Sequence, residues 1–550
     1  MALPDIWPKR LLHTQSMTSV ERHGLNTYRG IKAPDYNAIS YTWGRYFDEG
    51  ITPIEIYGIT WKVPGIHPSH FTTKEFKSAI EKASSEVAFL WLDIACIDQE
   101  NEKIKLEEIN NQPAIFKRAS FVYAWMTPWD TPQMIGSLQV LEADDLKLDV
   151  GLSRYRLIPT GTELTSSTEN VLKALTDICE QPWFTSLWTL QEAYLAEPYI
   201  LSRSAELLEY SLYVDDEDQQ IHRPVHLSWL NVVCWKLWTR LNRDTNITAR
   251  KICSRIADSG FLALSNRNFA VLYGASTKRK ASFEHDAIYG IMQVYGIRLA
   301  AQPDLNRLSM SFNLHLITTH SVGGQLFLHE EPVDLQEAWQ LSRKIFIPNL
   351  FQFPGSFSDE CAMTQSYRQR PLFDGQSCSL QDLLTTWALV MEAQQKRNAS
   401  LYQPRLFLDA TKEASCRSIC LVSDSATSSA NEDLFMDTIS TVADMRSLPN
   451  IMGIPVADCR VLYLGLIRSA LHSWHDPHRP GWTATIKIGM LVIQPSGNRT
   501  SQWCRIGFCA WFDAAESLSS VWIESERDAY EIEEKNPVPI GTWSGFTCRL

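Results

Sequence analysis

Glu192 and Asp93, with their immediate neighbours, are the strongest carriers of chemistry in this sequence. Glu192 closes the segment Trp183-Phe-Thr-Ser-Leu-Trp-Thr-Leu-Gln-Glu192. Read as one helix with Pro182 in its first turn, where a missing N–H does no harm, this segment puts Phe184, Trp188 and Glu192 on one face. Leu187, Gln191 and Leu195 form the neighbouring stripe. A carboxyl group on an aromatic, buried face is desolvated, which raises its pKa and favours the neutral form. Such a group suits general acid or base catalysis, or stabilisation of a developing cation. A structural role, as a buried hydrogen bond locking the helix onto a sheet, stays open beside it. Trp188 and Gln191 are the substrate-contacting candidates on this helix.

Asp93 sits in Leu90-Trp-Leu-Asp-Ile-Ala-Cys-Ile-Asp-Gln99. Residues 87–94 are a nearly continuous apolar run, the pattern of a strand buried on both faces of a parallel sheet. On that reading Asp93, Cys96, Asp98 and Gln99 lie at the strand's carboxyl end and in the loop beyond, the edge where open α/β sheets bind ligands. Asp93 and Asp98 are catalytic candidates, Cys96 and Gln99 substrate-binding ones. Asp98 has an alternative role, capping the next helix by accepting from the N–H groups near Glu100 and Asn101. An unpaired carboxylate is costly inside an apolar run, so Asp93 needs partners.

A third segment, Tyr36-Asn-Ala-Ile-Ser-Tyr-Thr-Trp-Gly44, alternates as a strand and ends in Trp43-Gly44, where glycine permits a turn or a close ligand approach. Trp43 and Gly44 join the substrate-binding candidates. Ser40 lacks the flanking glycines of a nucleophile elbow and reads as a core serine. His472, His475 and His478 have no zinc-site spacing, and Pro477 between them prevents a regular helix, so a polar surface loop is expected and no metal is assigned. Gly323-Gly324 is only a turn, and without a Gly-x-Gly-x-x-Gly fingerprint no cofactor is assigned.

The elements that would carry these residues alternate between strand and helix over residues 35–200. A polar helical stretch over 100–118 contains Pro113, which should end or kink it. The apolar run 121–126 then completes a strand–helix–strand unit with the 87–94 run. Residues 130–167, with Pro and Gly at their edges, read as an irregular insertion. Helical spacing marks 229–241, 249–264 and 308–320. Near the end, Thr485, Lys487 and Gly489 alternate with Ile486, Ile488 and Met490. A turn over 494–497 and a further run over 505–512 follow, giving a β-meander. The Ser- and Asp-rich stretch 423–433 reads as a linker. The chain therefore divides into an α/β domain (1–200), a mostly helical region (201–345) and a β-rich C-terminal domain (346–550).

With 550 residues, 45% hydrophobic and 21% charged, the chain is globular and too long for one core. Its formal charge of −12 gives no global field for phosphate backbones, so nucleic acid is not an expected partner. The first residues hold no apolar run of signal-peptide length, and no stretch of about 18 apolar residues spans a membrane. The 12 cysteines, scattered singly, read as reduced thiols. Together these predict a cytoplasmic protein.

The three tryptophan-bearing segments, in this order within the first 200 residues, resemble the hallmark blocks of the fungal heterokaryon-incompatibility (HET) domain. Lys9-Arg-Leu-Leu-His13 resembles that family's opening strand. His285-Asp-Ala-Ile-Tyr-Gly290 resembles an Arg-Asp-Lys-Val-Tyr-Ala segment that often follows the domain, with His285 and Ala287 in place of basic residues. The resemblance implies intracellular non-self recognition and programmed cell death, with a protein partner or self-association as trigger. It also implies a flavodoxin-like parallel sheet akin to Toll/interleukin-1-receptor (TIR) domains. Some TIR domains cleave NAD with a helical glutamate, and Glu192 is the residue that would take this role. An NAD- or nucleotide-cleaving hydrolase and a non-catalytic interaction module are the competing functions.

Overall fold

The computed structural model describes residues 6–146, 155–156, 168–214, 219–241, 246–266, 269–342, 344–347, 354–366, 370–395, 405–409, 436–437, 450–451, 454–471, 482–495, 502–512 and 543–550. The chain forms two compact units, one of residues 1–267 and 275–308, the other of 268–274 and 309–550. The histidine cluster and the 423–433 stretch lie outside the described residues.

The first unit is built on a six-stranded mixed sheet. Its strands are β1 (Arg10–His13), β2 (Thr18–Glu21), β3 (Tyr36–Ser40), β4 (Phe89–Trp91), β5 (Val122–Trp125) and β6 (Tyr199–Leu201), in spatial order β2-β1-β4-β3-β5-β6. The four strands from β3 to β6 are mutually parallel, while β1 pairs antiparallel with both β2 and β4. Every residue of β3 and β4 is buried; β4 is wholly apolar, and in β3 the polar Asn37 and Ser40 are buried with hydrogen-bond partners. Its longer helices, in sequence order, include α1 (Thr73–Ala83), α2 (Glu102–Arg118), α3 (Thr131–Leu146), α4 (Thr168–Cys179), α5 (Leu187–Leu195), α6 (Leu227–Leu241) and α7 (Ile247–Ser259). A capping box fixes the start of α1: Glu75 N donates to Thr72 Oγ1 at 3.2 Å and Thr72 N to Glu75 Oε2 at 2.7 Å.

Five local expectations need correction. The 87–94 run is a strand only over Phe89–Trp91; from Asp93 to Cys96 the chain makes a helical turn. The Asp93 carboxylate accepts from the Ile94 N–H at 2.7 Å and draws the chain out of the extended form. Helix α2 runs through Pro113, because its buried residues Ile109, Ile115 and Phe116 hold it across the one missing N–H. Where an irregular insertion was expected, α3 begins with Pro132 in its first turn and buries Met134, Leu138 and Leu141. The fourth correction concerns residues 182–195, which are two helices. Ser186 is extended (φ −87°, ψ 140°), Leu187 N bonds Lys280 O at 3.0 Å, and Lys280 N bonds Thr185 O at 2.8 Å. Phe184 therefore does not share a helix face with Glu192. Similarly, the 249–264 pattern breaks at Gly260, whose φ of +89° suits glycine alone.

The second unit holds a nine-stranded sheet among the described residues. Its main strands are β7 (Pro371–Ser379), β8 (Arg405–Leu408), β9 (Cys459–Leu471), β10 (Trp482–Ile493), β11 (Cys504–Phe512) and β12 (Ser544–Arg549), all paired antiparallel. Helix α8 (Leu380–Gln395) packs Leu383, Leu384 and Trp387 into a core shared with Val461, Leu491, Ile506 and Trp511. Ile486, Ile488 and Met490 are buried while Thr485 and Lys487 stay partly exposed, as the alternation predicts. No helix among the described residues is long and apolar enough to cross a membrane.

Candidate functional site

At the carboxyl ends of β3 and β4 the first unit encloses a cavity of about 500 Å³. Open α/β sheets bind ligands at this edge, and the volume lies within the usual range for small-molecule sites. Trp43, Gly44, Asp93, Gln99, Trp188 and Glu192 all line it. The structure thus brings together most of the residues singled out from the three segments. It leaves out three. Cys96 is fully buried in the core, its thiol pushed up to about 12 by burial. Gln191 is buried behind the wall, donating to Gln112 Oε1 at 2.7 Å. Asp98 accepts from the N–H groups of Glu100 (3.0 Å) and Asn101 (3.2 Å), the donors expected for it, but the residue that caps α2 is Asn101.

Each wall carboxylate is held differently. Asp93 has three donors: Tyr41 Oη at 2.7 Å, Trp43 Nε1 at 2.6 Å and Ile94 N at 2.7 Å. Burial raises its pKa against the pull of these bonds and of Lys105. Glu192 has a single hydrogen-bond donor among the described residues, the Ser40 hydroxyl, which in turn accepts from Trp183 Nε1 at 2.8 Å. Burial moves the Glu192 carboxyl up to about 8, with the Asp93 charge adding to the shift and the Ser40 bond opposing it. The carboxyl is therefore mostly protonated at neutral pH while still facing the cavity.

The turn after β3 is fixed from behind by His70. Its Nε2–H donates to Thr42 O at 2.7 Å, Thr127 Oγ1 meets Nδ1 at 3.0 Å, and its ring stacks on Tyr46 at 3.7 Å. Burial holds this imidazole neutral, with its pKa down at about 4. Trp43, Gly44 and Arg45 enter the cavity from that turn. Sequence reasoning missed His70, which no pattern links to the turn, and passed over the Trp183–Ser40 pair. It also missed Asp286, although the His285–Gly290 resemblance marked its neighbourhood.

Residues 36–192 match the heterokaryon incompatibility protein (HET) family, and all three tryptophan segments fall within the match or at its ends. That span carries a heterokaryon-incompatibility domain. The full chain gives no significant match to a curated protein or to a solved structure. The matched span contributes Ser40, Trp43, Asp93, Trp183, Trp188 and Glu192 to the site. Beyond it, Lys280, Phe283 and Asp286 also line the cavity.

Proposed function

We propose that this heterokaryon-incompatibility domain executes programmed cell death inside the cell after non-self recognition, by hydrolysing a nucleotide at the Glu192 cavity, with NAD the first substrate to test. The observation that carries this function is Glu192 itself: a carboxyl facing a cavity, held by one hydroxyl, with its pKa moved to about 8. A carboxyl kept only for packing would be expected to saturate its oxygens with donors. The strand order supports the likeness to TIR domains. Taken in chain sequence, the parallel strands lie 2-1-3-4, as in the first four places of the flavodoxin-like order. Fold likeness alone does not license the chemistry.

In the proposed reaction the glycosidic C–N bond of the ribosyl group breaks, and the ring nitrogen leaves with the bond pair. The step runs through the ionised fraction of Glu192, which grows as the pH rises towards 8: there the carboxylate faces the cation that develops at the anomeric carbon. Water then adds there, and its proton passes to Glu192. Asp93, fixed by three donors, is proposed to orient the ribose hydroxyls. Signal reception, from a protein partner or a second copy of the chain, is assigned to the rest of the protein.

Purified full-length protein incubated with NAD should release nicotinamide, and Glu192→Gln should lose at least about a hundredfold of that rate, the scale of a general acid–base residue. Expression in a fungal host should arrest growth, and Glu192→Gln should relieve the arrest. If Glu192→Gln folds and stays toxic without nicotinamide release, a non-catalytic interaction module replaces the hydrolase.

A further inference from the structure

The matched domain ends at residue 192, but the cavity does not. A strap of residues 279–286 crosses from the third tryptophan segment towards the first. At one end Lys280 bridges Thr185 and Leu187 through both backbone groups. Beneath it, the buried Arg279 donates through Nη1 to the carbonyls of Ser186 (3.0 Å) and Trp183 (3.5 Å) and through Nη2 to Ser259 O. The Trp183 and Ser186 carbonyls flank the break between the helices of Trp183 and Glu192, and the Ser259 carbonyl ends α7, so the guanidinium ties that break to the end of α7. In mid-strap Ser282 passes close enough to Gly44 that a Cβ there would lie 3.8 Å from its hydroxyl. At the far end Asp286 accepts from the Phe283 N–H at 3.2 Å and from the Trp188 side chain. Gly290 allows this close docking, since a Cβ there would sit 2.8 Å from Asp286 O and 3.0 Å from Leu187 Cγ.

The result is an anchored backbone carrying an unoccupied ring. Phe283 is held at the rim through its N–H, yet its side chain is 67% exposed. Phe47, 48% exposed, lines the same cavity. Single exposed aromatics are ordinary; two on one cavity rim, one of them hydrogen-bonded in place, form an apolar surface for a flat ligand. Lys62, Lys105 and Lys280 line the cavity beside them and supply positive charge. Aromatic faces accept any nucleobase by stacking, and lysines accept phosphate as point charges.

We propose that the 279–286 strap is a specificity wall of the site, and that Phe283 stacks on the flat ring of a nucleotide whose phosphates meet the cavity lysines. This rests on the nucleotide reading of the cavity but concerns binding and needs no turnover. The test titrates full-length protein with adenosine diphosphate and, separately, with pyrophosphate, which carries the charge without the ring. Phe283→Ala should weaken adenosine diphosphate about tenfold or more and leave pyrophosphate unchanged, while Phe283→Trp should restore or tighten the first. Because Phe283 is mostly exposed, neither variant should shift the melting temperature.

Unchanged adenosine diphosphate affinity in Phe283→Ala would overturn the proposal. So would an equal loss for both probes, which would mean the strap had collapsed, or a wild-type protein that binds no adenosine diphosphate. Failure of the hydrolase is distinguishable. Ring-dependent binding without nicotinamide release from NAD leaves Phe283 as ligand contact and removes only the reaction.

Discussion

In the second unit Arg505 and Asp409 face each other with both side chains wholly excluded from solvent, whereas Glu192 in the first unit lines a cavity and has no ion-pair partner among the described residues. The guanidinium of Arg505 also donates to the carbonyls of Ala338 (3.1 Å), Gln325 (3.3 Å) and Phe327, and lies 4.3 Å from the Phe327 ring. Asp409 uses its other oxygen to accept from His329 N at 3.1 Å. That arrangement compensates each charge by a partner and closes the space around it. The Glu192 arrangement instead lets desolvation act and leaves the group facing open volume. Ionisable groups that fasten a fold are matched; those poised for chemistry are left short of partners.

Breaking the matched pair should produce the largest effect. Asp409→Ala leaves a buried, uncompensated guanidinium and should cost about 3–5 kcal/mol, seen as loss or a large downward shift of the second unit's unfolding transition in calorimetry. Removing a donor from the unmatched site should cost less. Trp183→Phe keeps an aromatic ring, though a smaller one, and strips the N–H that supports Ser40, a loss of roughly 1–3 kcal/mol in denaturant melts. It should also move the Glu192 titration further up.

Opposite in sign is Glu192→Gln. Glu192 has a folded pKa of about 8, raised from 4.5. Between these values the folded state holds a proton that the unfolded state has lost, so stability falls as pH rises through this window. Glu192→Gln removes that fall. Its melting temperature should match wild type near pH 4.5 and exceed it near pH 8, by about 2–4 °C for each kcal/mol released. Asp98→Ala should do least. It removes an exposed turn acceptor worth about 1 kcal/mol or less, and nicotinamide release from NAD should stay at the wild-type rate.

What the sequence made legible follows from local patterning. The apolar runs at β4 and β5, the alternation at Ile486, Ile488 and Met490, and the need of Asp93 for partners could each be read because burial constrains residue type directly. The desolvation of Glu192 was read from a helix face shared with Phe184 and Trp188, of which only Trp188 is on its helix. The break at Ser186 was not, because it depends on pairing with Lys280, 94 residues away in the chain. Helix α3 was hidden by a Pro and a Gly that mark loops in general but are tolerated here, in a first turn and within a helix whose core face is otherwise regular. His70 and the strap escaped for the same reason as Ser186: their roles lie in contacts made across the fold, with no periodicity to announce them.

The unmatched state of Glu192 is the central claim, and a direct titration tests it. Full-length protein labelled with 13C at glutamate side-chain carboxyls would be followed by NMR from pH 4 to 10, with Glu192→Gln identifying the resonance by its absence. A midpoint near 8 is the result this account requires. A midpoint in the ordinary glutamate range, about 4–5, would contradict it and return Glu192 to the role of a structural hydrogen-bond acceptor.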